Sequence, residues 1–173
     1  MSSSPLRRAL LALPAIALLA AAPAAESKQH DGGERLVVRG EATILDAPCA
    51  PAVCLEMSGG AFRGTLGAGA YTGAMTLAVA EAYPNGEGGV CAPIGGRITL
   101  GAGSADRLVL AVDGDSCQDG AGDPRSASFT TVATFKVVHG AGAYSSAHGR
   151  GVATFAEDAA DHDRMTLVGR IAR

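Results

Sequence analysis

The chain has 173 residues, 47% of them apolar and 18% charged, with 24 glycines, four cysteines, no tryptophan and a formal net charge of −3. Such a length and composition suit one compact domain and exclude a disordered chain, and glycine without a three-residue period excludes collagen. A mildly acidic chain is a poor partner for DNA or RNA, whose binding needs clustered Lys and Arg to replace counterions, so no nucleic acid is expected.

In chain order, Arg7 and Arg8 precede a stretch from Ala9 to Ala22 that is apolar but for one proline, and Ala22-Pro23-Ala24 places small residues at a cleavage site. This pattern reads as a secretory signal peptide over 1–24, a flexible mature N-terminus over 25–33 and one domain over 34–173. The apolar run is short of the ~20 residues a spanning helix needs, and no long apolar run follows, so no transmembrane segment is expected after cleavage. Adjacent arginines fit general and twin-arginine export alike. Cleavage leaves 12 basic against 17 acidic residues. The expected location is outside the cell, in the periplasm or in the cell envelope.

From Glu34 onward, short segments of alternating apolar residues are separated by Gly, Pro, Asp and Asn clusters, the period-two signal of half-buried strands. Eight segments are predicted, centred on Leu36-Val38 with Ala42-Ile44, Val53-Leu55-Met57, Met75-Leu77-Val79, Ile98-Leu100, Leu108-Leu110-Val112, Phe129 to Val137, Val152-Thr154 and Met165-Leu167-Ile171. Turns are predicted at Pro84-Asn85-Gly86, at Gly101-Ala102-Gly103 and through the aspartate-rich run from Asp113 to Asp123. An all-β fold follows, either a closed antiparallel barrel, which abolishes sheet edges, or a two-sheet sandwich.

Outside the cytoplasm four cysteines imply two bridges. Cys49 and Cys54 bracket a short proline-bent loop and are expected to pair, which leaves Cys91 for Cys117. The second bridge is worth roughly 3 kcal/mol by the chain-entropy model. CxxC-like pairs are missing, so no zinc site is expected.

Gly67-Ala68-Gly69-Ala70-Tyr71 recurs unchanged as Gly140-Ala141-Gly142-Ala143-Tyr144. Each copy is expected at a strand entrance, its glycines permitting close backbone approach and its tyrosine covering a barrel end. The second copy continues through Ser145-Ser146-Ala147-His148-Gly149-Arg150-Gly151 into a strand. That GxGxYxxAxGxG run resembles the signature of the allene oxide cyclase-like and dirigent-like barrels. The resemblance covers about Glu34 to Arg173 in strand count and order, and closely only the dozen motif residues; the first copy departs from it, with Met75-Thr76-Leu77 where glycines should follow. It implies an eight-stranded antiparallel barrel whose mouth holds a small hydrophobic ligand, cofactor-free cyclisation or coupling in the named families, and homo-oligomers, often trimers. No active site of either family maps onto this chain residue by residue.

For chemistry, no GxSxG elbow is present and the cysteines are expected to be oxidised, so triad-type hydrolysis is not expected. Glu81 follows Met75, Leu77 and Val79 in alternation and is a candidate enclosed general acid or base, or else emerges at a wet strand end before Pro84-Asn85-Gly86. His139 and His148 flank the second motif, and His148 is the candidate proton-transfer partner. Tyr71, Tyr144 and Arg150 complete a pool of ligand-binding candidates, while Arg63 and Arg150 either bridge to Glu56 or Glu81 or solvate a rim. Asp113, Asp115, Asp119 and Asp123 approach a calcium-loop composition, but Cys117 stands at the third ligand position and no glutamate closes the loop. The run is expected to be a solvated turn pinned by its disulfide. No metal and no cofactor are expected. The function expected is that of a small exported barrel that binds an apolar ligand or serves a structural role, with a cofactor-independent isomerase or cyclase and an envelope interaction module as alternatives.

Overall fold

A computed structural model describes residues 33–86, 88–118 and 128–173. The signal peptide, most of the expected N-terminal arm, Asp119 and Asp123 lie outside the described residues. Nine strands form: β1 (Glu34–Cys49), β2 (Ala52–Gly64), β3 (Gly67–Leu77), β4 (Tyr83–Pro84), β5 (Val90–Leu100), β6 (Arg107–Gln118), β7 (Phe129–Ala141), β8 (His148–Glu157) and β9 (His162–Ala172). Every pairing is antiparallel, and the sheet runs β3-β2-β1-β9-β8-β7-β6-β5 before closing on itself through β3 and β5, from Tyr71 opposite Leu100 to Leu77 opposite Ile94. The result is a closed eight-stranded up-and-down barrel, not a sandwich. The two-residue β4 lies outside it, pairing Tyr83 with Cys91 and Pro84 with Val90. All eight predicted segments fall on the eight barrel strands, except that Val79 of the third lies beyond the end of β3 in a 3₁₀ turn.

Closure follows from the alternation. Leu36 and Val38, Leu108, Leu110 and Val112, and Met165 and Leu167 point inward and are buried, while the residues between them face out. Burying each large side chain stabilises by about 1.5–3 kcal/mol, and the closed sheet leaves no barrel strand with an unpaired edge.

Two aromatic rings fill the lumen where neighbouring strands carry glycine. The Tyr71 ring of β3 lies across Gly60 of β2 and Gly40 of β1: a Cβ on either glycine would stand 2.6 or 2.7 Å from ring Cε1. On the far wall, Phe135 of β7 lies across Gly151 of β8 and Gly169 of β9, where a Cβ would stand 2.6 or 2.9 Å from its ring. A bulge at Ser58–Gly60, where Gly59 takes φ +65°, shifts the register of β2 against both neighbours.

The barrel has two unlike ends. One carries Cys49–Cys54 at the β1–β2 turn, Cys91–Cys117 between directly opposed positions of β5 and β6, and the β8–β9 turn. Both expected pairings are present, but Cys117 sits inside β6 and not in the loop after it. The other end carries the β5–β6 turn and Tyr144.

Candidate functional site

The lining of the barrel changes along its axis. Towards the tyrosine end it is aliphatic; towards the disulfide end the inward positions become Ser116 and Gln118 on β6, Thr131 on β7, Glu157 on β8 and Asp163 on β9. Glu157 and Asp163 are directly opposed in the β8–β9 ladder, so both carboxyls share the inner face. Asp163 is 1% exposed, and neither of its carboxyl oxygens has a hydrogen-bond partner. Burial, and then the charge of Glu157, pushes its pKa from 3.8 up to about 7. Glu157, half-buried, is also pushed up to about 7, by burial first and then by Asp161, Asp46 and Asp158. Two carboxyls in one partly dry site resist ionising together, which favours a singly protonated pair around neutrality.

Tyr71 supplies the third polar group. Its side chain is fully buried, its hydroxyl has no partner, and its pKa is raised by burial, then by Asp163 and Glu41. The ring crosses two strands over its glycine floor, and a Cβ on Gly40 would also stand 3.0 Å from Met165 Cε, two residues along β9 from Asp163. An unsatisfied buried polar group costs about 1–3 kcal/mol, so a hydroxyl and a carboxyl left unpaired in one lumen call for an explanation. Beside them, the β2 bulge opens a depression of about 390 Å³ whose wall includes Gly59, Asp158, His162 and Asp163. A carboxyl pair of this kind can hold a cationic or hydrogen-bond-donating group, or pass a proton.

The residues expected from sequence do not meet in one place. Glu81 is exposed and lies off the strand: alternation stops at Leu77 and the chain enters a 3₁₀ turn, Val79–Glu81. There the Ala78 N–H donates to the Pro93 carbonyl at 2.8 Å and the Glu81 N–H to the Ala78 carbonyl at 2.9 Å. Glu81 therefore does not share the apolar face, and it sits at the disulfide end. His148 opens β8 at the tyrosine end, exposed, its Nδ1 3.4 Å from the Ser146 carbonyl oxygen. These two candidates stand at opposite ends of the barrel. His139, also exposed, lies near the tyrosine end of β7.

Tyr71, Tyr144 and Arg150 occupy three separate environments. Tyr71 is in the lumen. Tyr144 is half-buried on a 3₁₀ turn, Gly142–Tyr144, packed on the end of the core with the Arg173 guanidinium 5.3 Å from its ring centroid. Arg150 is on the outer surface of β8, as Arg63 is on β2. The two glycine-tyrosine copies thus differ: the first enters β3, whereas the second leaves β7. Gly142 takes φ +60° and the Ala143 N–H donates to Asp106 Oδ1 at 2.8 Å, which bends the second copy over the barrel end.

Asp113 and Asp115 belong to β6 and face outward rather than forming a turn. Among the described residues, no group of three or more His, Cys, Asp or Glu side chains could hold a metal ion. Glu157 and Asp163 were not singled out by sequence: Asp163 continues the inward parity of the predicted Met165-Leu167 segment, whereas on β8 the predicted Val152 and Thr154 face outward and the inward set is Ala153, Phe155 and Glu157. The chain matches no protein-family model, no curated protein and no solved structure.

Proposed function

We propose that this protein is an exported binding barrel that takes up a small amphiphile, its apolar body in the lumen and a protonated amine or other hydrogen-bond donor against the Asp163–Glu157 pair. The observation that carries this reading is the fully buried Asp163 carboxyl with both oxygens unpaired, opposite a second carboxyl. Two disulfides fit a protein working outside the cytoplasm or in the envelope. The barrel architecture accords with the allene oxide cyclase-like resemblance, and kinship with that group is part of the proposal.

The test is calorimetric binding of a long-chain alkylamine and of the fatty acid of equal length, to the wild type and to Asp163→Asn, above and below neutral pH. We expect the amine to bind above pH 7, to lose tenfold or more in affinity in the variant and in acid, and to bind better than the acid. Equal binding of amine and acid, or amine binding unchanged in Asp163→Asn, refutes the assignment.

A second reading is favoured by one observation, the two carboxyls held near pKa 7. That value suits a general acid or base, and the protein would then be a cofactor-independent isomerase or cyclase. In that case Asp163→Asn abolishes turnover of a bound ligand while leaving its affinity within a few fold.

A further inference from the structure

Strand register gathers three arginines and one glutamate on the outer face where β2, β1 and β9 run side by side. Arg39 of β1 is directly opposite Arg63 of β2, and two residues along β1, Glu41 is directly opposite Arg164 of β9. All four point away from the lumen, because Val38, Gly40 and Ala42 of β1, Phe62 of β2, and Asp163 and Met165 of β9 hold the inward positions.

Glu41 offsets the charge of Arg164. The Arg39–Arg63 pair has no carboxylate across from it: the other neighbour of Arg63 is Ala68 of β3, and that of Arg39 is Thr166 of β9. Among the described residues, no hydrogen bond or ion pair engages either guanidinium. Like charges directly opposite one another destabilise a sheet, and an anion seated between the two reverses the sign of that contribution. Short side chains leave the seat open. Ala61, opposite Glu41, and Ala68, opposite Arg63, are exposed on the same face, and with the arginines they border a groove of about 490 Å³. That volume is within the roughly 300–1,000 Å³ of small-molecule sites. Directly opposed positions are about 5 Å apart and diagonal ones about 7–8 Å, so two planar guanidinium forks reach one tetrahedral anion while Glu41 reaches a group one rung away.

We propose that this groove binds a small phosphate monoester with a hydroxylated body, of the sugar phosphate class. The phosphate accepts hydrogen bonds from Arg39 and Arg63, the body lies over Ala61, and one of its hydroxyls donates to Glu41. Glu41 also sets selectivity, because a second phosphate placed there meets a carboxylate, which disfavours polyphosphates and nucleic acid chains. The groove is on the outside of the barrel, and its occupancy is independent of the luminal site proposed above.

The test is calorimetric titration with glucose 6-phosphate, glucose and inorganic phosphate at low salt and about pH 8, where a phosphate monoester carries close to two negative charges. Glucose 6-phosphate should bind, inorganic phosphate should bind at least tenfold more weakly, and glucose should not bind. Arg63→Gln removes a charged donor and should weaken glucose 6-phosphate tenfold or more, whereas Arg97→Gln, on the outer face of β5, should leave it unchanged. Both variants should keep the wild-type circular dichroism spectrum. Glu41→Gln is the second probe: it should weaken glucose 6-phosphate and spare inorganic phosphate. Undiminished binding by Arg63→Gln, or equal affinity for glucose 6-phosphate and inorganic phosphate, overturns the proposal. So does retention on phosphatidic acid vesicles without binding of glucose 6-phosphate, which would place the phosphate in a lipid.

Discussion

Replacing Asp163 by Asn tests the electrostatics of the lumen through stability alone. A carboxyl whose pKa rises from 3.8 unfolded to about 7 folded holds its proton more tightly in the native state. Folding then takes up a proton, and the stability this contributes is complete below about pH 4 and disappears as pH rises to about 7. The full rise corresponds to about 4 kcal/mol, an upper bound for Asp163 because part of it arises from the charge on Glu157. Asp158 works in the opposite sense: its pKa is lowered by the backbone N–H groups of Ala160 and His162, so its contribution fades only as pH falls below about 4. The two windows do not overlap. Urea unfolding followed by far-ultraviolet circular dichroism between about pH 4 and pH 8 should show wild-type stability falling with pH over this window. Asp163→Asn, which cannot ionise at this position, should lose the part of that slope due to Asp163, keep the part due to Glu157, whose carboxyl is raised from 4.5 to about 7, and be the more stable protein at the alkaline end. A flat wild-type profile, or an equal slope in the variant, refutes the reasoning.

Three further outcomes are expected. Tyr71→Phe removes a buried hydroxyl with no partner and should raise stability by about 1–2 kcal/mol in urea titrations of ligand-free protein; a loss of that size would mean the hydroxyl is satisfied. Gly40→Ala drives a Cβ to 2.7 Å from the Tyr71 ring and should cost about 1–3 kcal/mol, whereas Gly103→Ala, which meets nothing within 4 Å but takes φ +78°, should cost about 1 kcal/mol in the same assay. Removing Cys91–Cys117, which closes 26 residues, should cost about 3.5 kcal/mol against about 2 kcal/mol for the five-residue span of Cys49–Cys54, compared as the paired Cys→Ser variants.

The eight strands were legible because a barrel of this size imposes strict inside-outside alternation, and apolar residues betray it wherever the lining is apolar. The same criterion failed where the lining turns polar. Asp113 to Gln118 reads as a turn, yet Gly114, Ser116 and Gln118 face in and the strand runs on to Gln118. At Glu81 the error was reversed: Met75, Leu77, Val79 and Glu81 keep a period of two, but the Ala78 N–H bonds to Pro93 and the chain turns out of the sheet. Alternation cannot register that change, because it lies in the backbone. Asp163 could have been reached by extending the parity of Met165 and Leu167 by one more step. The pairing of Arg35 with Arg170, Arg170 with Arg150 and Arg150 with Lys136 across four strands could not, since these residues are scattered along the chain and become neighbours only once the strand register is known.

The glycine floor beneath Tyr71 gives the interior a property that its buried surface area does not reveal. Gly60 and Gly40 contribute no side chains of their own, so a strip of lumen two strands wide belongs to one ring. In most cores such a volume is divided among many interlocked neighbours; here it is concentrated in one side chain, so the fit of three adjacent strands, β1, β2 and β3, depends on a single ring and on two positions that must stay without a Cβ.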